Sequence, residues 1–181
     1  MKISRLDIPD VLLIEPQVFH DERGFFYESF NEAAFAREAG ITARFVQENY
    51  SHSRKNVVRG LHYQIEQAQG KLVRVAVGEI FDVVVDIRRR SPTFGRWAGC
   101  RLRAEDSCTL WVPAGFAHGF VALTDVAGVS YKVTDYWAPR HERRIVWNDP
   151  GLKIDWPLDG EPILSASDAT VTLFRDAAVF E

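Results

Sequence analysis

From Phe45 onward, apolar and polar side chains alternate with the period of a half-buried β-strand. Val73, Val75 and Val77 interleave with Leu72, Arg74 and Ala76; after a turn at Gly78 and Glu79, Phe81, Val83, Val85 and Ile87 interleave with Asp82, Val84 and Asp86. The second of these strands therefore points two carboxylates to one side, which is water in an open sheet or a polar cavity in a closed barrel. The same patterning predicts strands at Trp97–Arg103, Thr109–Val112, 116–123 and 129–137, with turns at 91–96 and 104–107 and a corner at Pro113 to Gly115. Upstream, short apolar groups around Ile3, Leu6 and Ile8, then Val11 to Ile14, then Val18 and Phe19, are broken by Pro9 and Pro16. Proline cannot donate to a ladder, so this arm is expected at a sheet edge or against a partner subunit. A turn at 21–24 and an aromatic strand at 25–30 follow. Asn31 suits a helix N-cap, 32–39 carries helix formers, and Gly40 suits the terminator. The tail from Asn148, rich in Asp, Pro and Gly, is expected to wrap over the body. Many short strands with Gly and Pro turns predict a mainly β fold, an antiparallel sandwich or jelly-roll barrel with one short helix, as a single domain over 1–181.

Composition narrows the class. A chain of 181 residues suffices for one sizeable core, and 46% hydrophobic with 26% charged residues is the composition of a soluble globular protein. No apolar run reaches membrane-spanning length, and the apolar segment at 11–14 is too short for a secretory signal, so no membrane association and a cytoplasmic location are expected. The net charge of −3 argues against general nucleic-acid binding. The run Arg88 to Arg90 reads as a solvated strand end or a local anion contact. Cys100 and Cys108, in no metal or redox spacing, read as reduced packing residues.

Candidate chemistry centres on RGLHYQ, Arg59 to Gln64, which joins a permanent cation to an imidazole. In an extended strand His62 shares a face with Gly60 and Gln64 while Arg59 points away, so both reach one pocket only if the backbone twists or bulges, most cheaply at Gly60. Metal binding is the first test, because Pro113 to His118 has the Pro-x-Gly-x-x-His pattern of the second cupin motif and Gly60 to Gly78 resembles the first. Metal-binding cupins place two histidines two apart in that first motif; here the partner of His62 is Gln64, a poor ligand for a transition ion. His20, His52 and His141 stand in no ligand spacing, and a metal-free barrel is expected. Acid and base chemistry remains: His62 as base with a carboxylate behind it, Tyr131 as proton donor, and Lys71, if it faces inward, as a cation for a developing enolate. Taken singly, Tyr131 also reads as a half-buried strand tyrosine and Lys71 as a snorkelling edge residue.

The blocks DERGFF, QENYSHS, VVRGLHYQ, GKLVRV, GEIFDVVVDIRRRSPTFG, VPAGFAHGFVAL, YKVTDYW and WNDP, in this order, resemble the dTDP-4-dehydrorhamnose 3,5-epimerase family, over nearly the whole chain. The resemblance implies a cupin-type jelly-roll barrel, a homodimer, no cofactor, and epimerisation of a dTDP-4-ketosugar in dTDP-L-rhamnose synthesis. It also implies His62 as the base, Asp168 as its carboxylate partner, Tyr131 as the opposing acid and Lys71 as the enolate cation. Arg23, Glu28, Gln47, Asn49, Arg59, His118 and Glu142 match positions that hold the nucleotide sugar. Trp137 stands where the family usually stacks a tyrosine on thymine, and Ser167 where it usually has lysine. A single-site dTDP-ketosugar epimerase and a non-catalytic sugar-nucleotide binding module stay open as alternatives.

Overall fold

The computed structural model describes residues 1–169 and 172–181. Among these, strands form at β1 (Lys2–Arg5), β2 (Leu12–Glu15), β3 (Val18–Asp21), β4 (Gly24–Tyr27), β5 (Gln47–Arg54), β6 (Val58–Gln64), β7 (Lys71–Val77), β8 (Glu79–Asp86), β9 (Trp97–Arg103), β10 (Thr109–Val112), β11 (Phe116–Ala122), β12 (Val126–Val133) and β13 (Glu142–Arg144). They assemble into a six-stranded sheet ordered β1-β2-β10-β7-β12-β5, a five-stranded sheet ordered β13-β6-β11-β8-β9, and a separate β3-β4 hairpin. The pairings of these strands are antiparallel, as the alternating pattern and Gly and Pro turns predict for a jelly roll.

The two large sheets face each other. Val73, Val75 and Val129 of one meet Val84, Leu102 and Phe120 of the other in a buried core. The outward side of β8, with Val83 and Val85, and Ile87 just beyond it are also covered, by Leu152, Trp156, Phe174 and Phe180 of the tail. The tail is tied down by bridges Val57 to Ile163, Ile145 to Thr172 and Arg88 to Phe180, and by Tyr63 Oη donating to Ala178 O at 2.6 Å. It wraps the body as its composition suggests, and β1 occupies a sheet edge.

Asn31 caps the helix by accepting from Ala34 N at 3.0 Å, and Gly40 ends it in the left-handed region at φ 69°. Only Glu32–Ala34 is α-helical; Phe35–Ala39 widens to a π-turn that brings Phe35 and Ile41 into one apolar cluster with Leu12, Ile14 and Leu72. The aromatic strand expected at 25–30 runs Gly24–Tyr27, leaving Glu28 beyond the ladder. The strand expected at 129–137 begins earlier and stops at Val133. Beyond Val133 one backbone bond, Thr134 N to Gly70 O at 3.1 Å, is followed by side-chain bonds: Thr134 Oγ1 accepts from Gly70 N, Asp135 Oδ1 from Tyr136 N, and the Gln64 amide holds Tyr136 O and Ala138 N. This releases Tyr136 and Trp137 to the surface, Trp137 at the rim of the space between the sheets.

Candidate active site

β6 and β11 supply one wall. Their register pairs His118 with His62 but Phe120 with Arg59, so Gly60 and Leu61 stand opposite Gly119 alone. Gly60 sits at φ 134°, and a Cβ there would meet Gly119 Cα at 2.5 Å; only glycine fits the approach. The extra residue turns Leu61 into the outer core and leaves both Arg59 and His62 lining one cavity. That cavity, of about 390 Å³, is closed on the other side by Gln47 and Asn49 of β5, Lys71 of β7 and Tyr131 of β12.

His62 Nε2 lies 2.5 Å from Asp168 Oδ1. Asp168 reaches it from the tail; its other oxygen accepts from Ser165 Oγ at 2.8 Å, and Ser165 Oγ in turn accepts from Asp168 N at 3.1 Å. Burial would raise the Asp168 carboxyl, but the hydrogen bonds from His62 and Ser165 and the nearby Arg144 charge hold it below the usual carboxylate range. A second pair lies beside the first: His118 Nε2 stands 3.0 and 2.9 Å from the two oxygens of Asp82, which is fully buried. Burial lowers the His118 imidazole below its ordinary value despite the opposing pull of Asp82. Lys71 faces inward, is buried, and donates from Nζ to His62 O at 3.2 Å. Desolvation pushes its ammonium down to about 8, against the pull of Asp82 and Glu142. Burial raises the Tyr131 phenol, with Arg59 opposing, so the group keeps its proton at neutral pH.

The mouth is built from the remaining residues. Gln47 Nε2 donates to Asn49 Oδ1 at 2.8 Å, and Gln47 Oε1 accepts from Trp137 N at 3.1 Å. Trp137 Nε1 donates to Glu142 Oε2 at 2.8 Å, which fixes the indole while its ring stays exposed. Arg59 Nε donates to Ser53 Oγ at 3.0 Å. Arg23 and Glu28 are not brought to this cavity: Arg23 is exposed on the β3-β4 hairpin, paired with Asp21 at 2.5 Å, and Glu28 is exposed just past that hairpin.

Sequence reasoning did not assign Asp82, Arg144 or Ser165 to the site. Asp82 was visible as a carboxylate on the cavity side of β8, but not as the partner of His118. Among the described residues no group of three or more His, Cys, Asp or Glu stands in a metal-holding arrangement, and no helix is long and apolar enough to cross a membrane.

The family model described as dTDP-4-dehydrorhamnose 3,5-epimerase matches residues 5–176. The dTDP-4-dehydrorhamnose 3,5-epimerase of Pseudomonas aeruginosa is 61% identical over 180 residues, 99% of each chain. That of Salmonella typhimurium is 54% identical over 182 residues, covering 100% of both. Among solved structures, the dTDP-6-deoxy-D-glucose-3,5-epimerase of Legionella pneumophila in complex with dTDP-4-keto-L-rhamnose superposes with a TM-score of 0.95 at 50% identity, covering 98% of this chain and 94% of that one.

Proposed function

The chain belongs to the dTDP-4-dehydrorhamnose 3,5-epimerase family, and from that premise we propose that it epimerises dTDP-4-dehydro-6-deoxy-D-glucose at C3 and C5 to dTDP-4-dehydro-L-rhamnose, without a cofactor. The observation that carries the proposal is a base and an acid on facing sheets: His62 on β6 and Tyr131 on β12 line one cavity from opposite walls, with Lys71 buried beside them.

The C4 ketone acidifies the hydrogens on both neighbouring carbons. With Nε2 committed to Asp168, Nδ1 of His62 is the ring nitrogen left to take such a proton, and Asp168 steadies the imidazolium that forms. The electron pair of the C–H bond moves onto the ketone oxygen, where the Lys71 ammonium stabilises the enolate. Tyr131, holding its proton because it is buried, returns one from the opposite face and inverts the carbon. Proton exchange with water resets both groups, and the same pair serves the second carbon. The exposed Trp137 ring offers a π-face to the thymine, Gln47, Asn49, His118 and Glu142 fix the nucleotide sugar, and Arg59 contacts phosphate.

A homodimer completes this reading. Phe19, Phe25 and Phe26 of the β3-β4 hairpin are 55%, 58% and 71% exposed, an apolar surface suited to a second copy of the chain. Arg23 and Glu28, adjacent to that surface and outside their own cavity, are then delivered to the neighbouring copy's substrate.

The test is turnover of dTDP-4-dehydro-6-deoxy-D-glucose in deuterated water, followed by NMR. Deuterium at both C3 and C5 is expected. Label at one carbon alone identifies a single-site epimerase, and no exchange at either rejects epimerisation. Tyr131→Phe is expected to keep dTDP affinity and abolish product formation; a variant as active as the parent removes Tyr131 as the acid, and a parent that binds dTDP but neither exchanges nor turns over is a binding module.

A further inference from the structure

β13 is only three residues long, and its side chains fall in register with the catalytic strand. Glu142 pairs with Gln64 and Arg144 with His62, so Glu142 and Arg144 share the cavity face while Arg143 turns away. A line of polar contacts results. At its outer end the exposed Trp137 donates to Glu142 Oε2; Glu142 Oε1 takes Arg144 Nη2; and Arg144 Nε lies 3.9 Å from Asp168 Oδ1, the oxygen that holds His62. Arg144 thus stands between the ring read as the thymine platform and the imidazole read as the hexose base. A nucleoside diphosphate sugar laid from one to the other carries its two phosphates past this guanidinium.

The protein does not use up the donors of Arg144. Nη1 makes a 3.3 Å contact with Ser167 O and Nη2 pairs with Glu142, each bond using one of that nitrogen's two N–H groups, on a side chain that is 32% exposed; Nε is buried and has no hydrogen-bond partner among the described residues. Two carboxylates, Glu142 and Asp168, flank the guanidinium, and Ser167 beside it brings no charge. Without Arg144 this stretch of wall is negative and would repel a diphosphate.

We propose that Arg144 is a diphosphate-binding residue of this site, a role that rests on the nucleotide-sugar reading above. Its planar fork offers donors to phosphate oxygens while it neutralises Glu142 and Asp168, so that an anionic ligand meets a cation rather than two carboxylates.

Calorimetric titration with dTDP and with thymidine, which has no phosphate, separates the possibilities. Arg144→Gln is expected to weaken dTDP binding by about 10- to 100-fold while thymidine affinity stays within about twofold, and Arg144→Lys falls between. In the double variant E142Q/R144Q, which removes the repelling carboxylate, part of the lost dTDP affinity returns. Unchanged dTDP affinity in Arg144→Gln overturns the assignment, as does an equal loss for thymidine, which would mark Arg144 as a prop for the mouth. A parent protein that binds neither ligand overturns the nucleotide-sugar reading itself, and with it this role.

Discussion

His62 and His118 are partners across the β6-β11 ladder, and each presents Nε2 to an aspartate. The aspartates arrive by different routes. Asp82 comes from β8, the strand next to β11, so its pair with His118 forms as soon as the five-stranded sheet does. Asp168 comes from the tail, and its pair with His62 forms only when the tail has closed over the sheet. Exposure follows the same division: the His62 side chain is 32% exposed and that of His118 9%. An imidazole that substrate can reach, backed by a carboxylate that a loop turns into place, is suited to proton transfer. An imidazole sealed against a fully buried carboxylate is suited to holding the cavity in shape and presenting one face to ligand. The same two residue types thus acquire different work from their surroundings.

The contrast is most sharply broken at His62. His62→Asn is expected to lower kcat by about 10³- to 10⁴-fold, the upper range for a general base, while the thermal midpoint and dTDP affinity stay close to the parent. A small loss of turnover would move the base elsewhere. Asp82→Ala is expected to act the other way round, on stability first: it strands His118 without its charged acceptor, at a cost of about 2–3 kcal/mol read from urea unfolding. If that variant unfolds like the parent, the second pair is not structural.

A pH titration of stability refines the comparison further. His118 is held below its ordinary value of 6.5 by burial, so above 6.5 both folded and unfolded chains keep it neutral and its contribution is fully present. As pH falls below 6.5 the unfolded chain takes up the proton and the folded one does not, so stability drops until the folded value is passed. The slope expected from this group in urea unfolding is at most about 1.4 kcal/mol per pH unit, and that share of the slope should be lost in His118→Asn. The smallest effect is expected at Ser165→Ala, which removes the hydrogen bond donated to the Asp168 carboxylate and the one accepted from Asp168 N: a loss in kcat of about 3- to 10-fold with stability nearly unchanged.

Much of the architecture was legible because backbone physics leaves few choices. The alternation on β7 and β8 marked the two faces of each strand but not which face of β8 turns inward: Val84 and Asp82 do, while Val83 and Val85 lie under the tail. Gly60 was identifiable as the place for a bulge if Arg59 and His62 are to share a pocket. Asn31 and Gly40 marked the helix ends, although the π-turn between them depends on where Phe35 and Ile41 find apolar contact, which no local pattern contains. The strand ends at Val133 although its successors alternate well, because the bonds that hold those successors run to the Gly70 backbone and the Gln64 side chain, distant in sequence. Asp168 could be joined to His62 only through family resemblance, since the tail that carries it has no periodicity to follow. Arg144 escaped notice for a related reason: in a strand as short as Glu142–Arg144, two inward positions make no pattern until β6 is placed beside them.

The central claim is an imidazole and a phenol on opposite sides of one hexose. A crystal structure with a dTDP-4-ketosugar bound tests it directly. The expected result is His62 against one face of the ring and Tyr131 against the other, with Lys71 at the ketone oxygen; a sugar with both groups on one face, or with Tyr131 out of reach of C3 and C5, would contradict it.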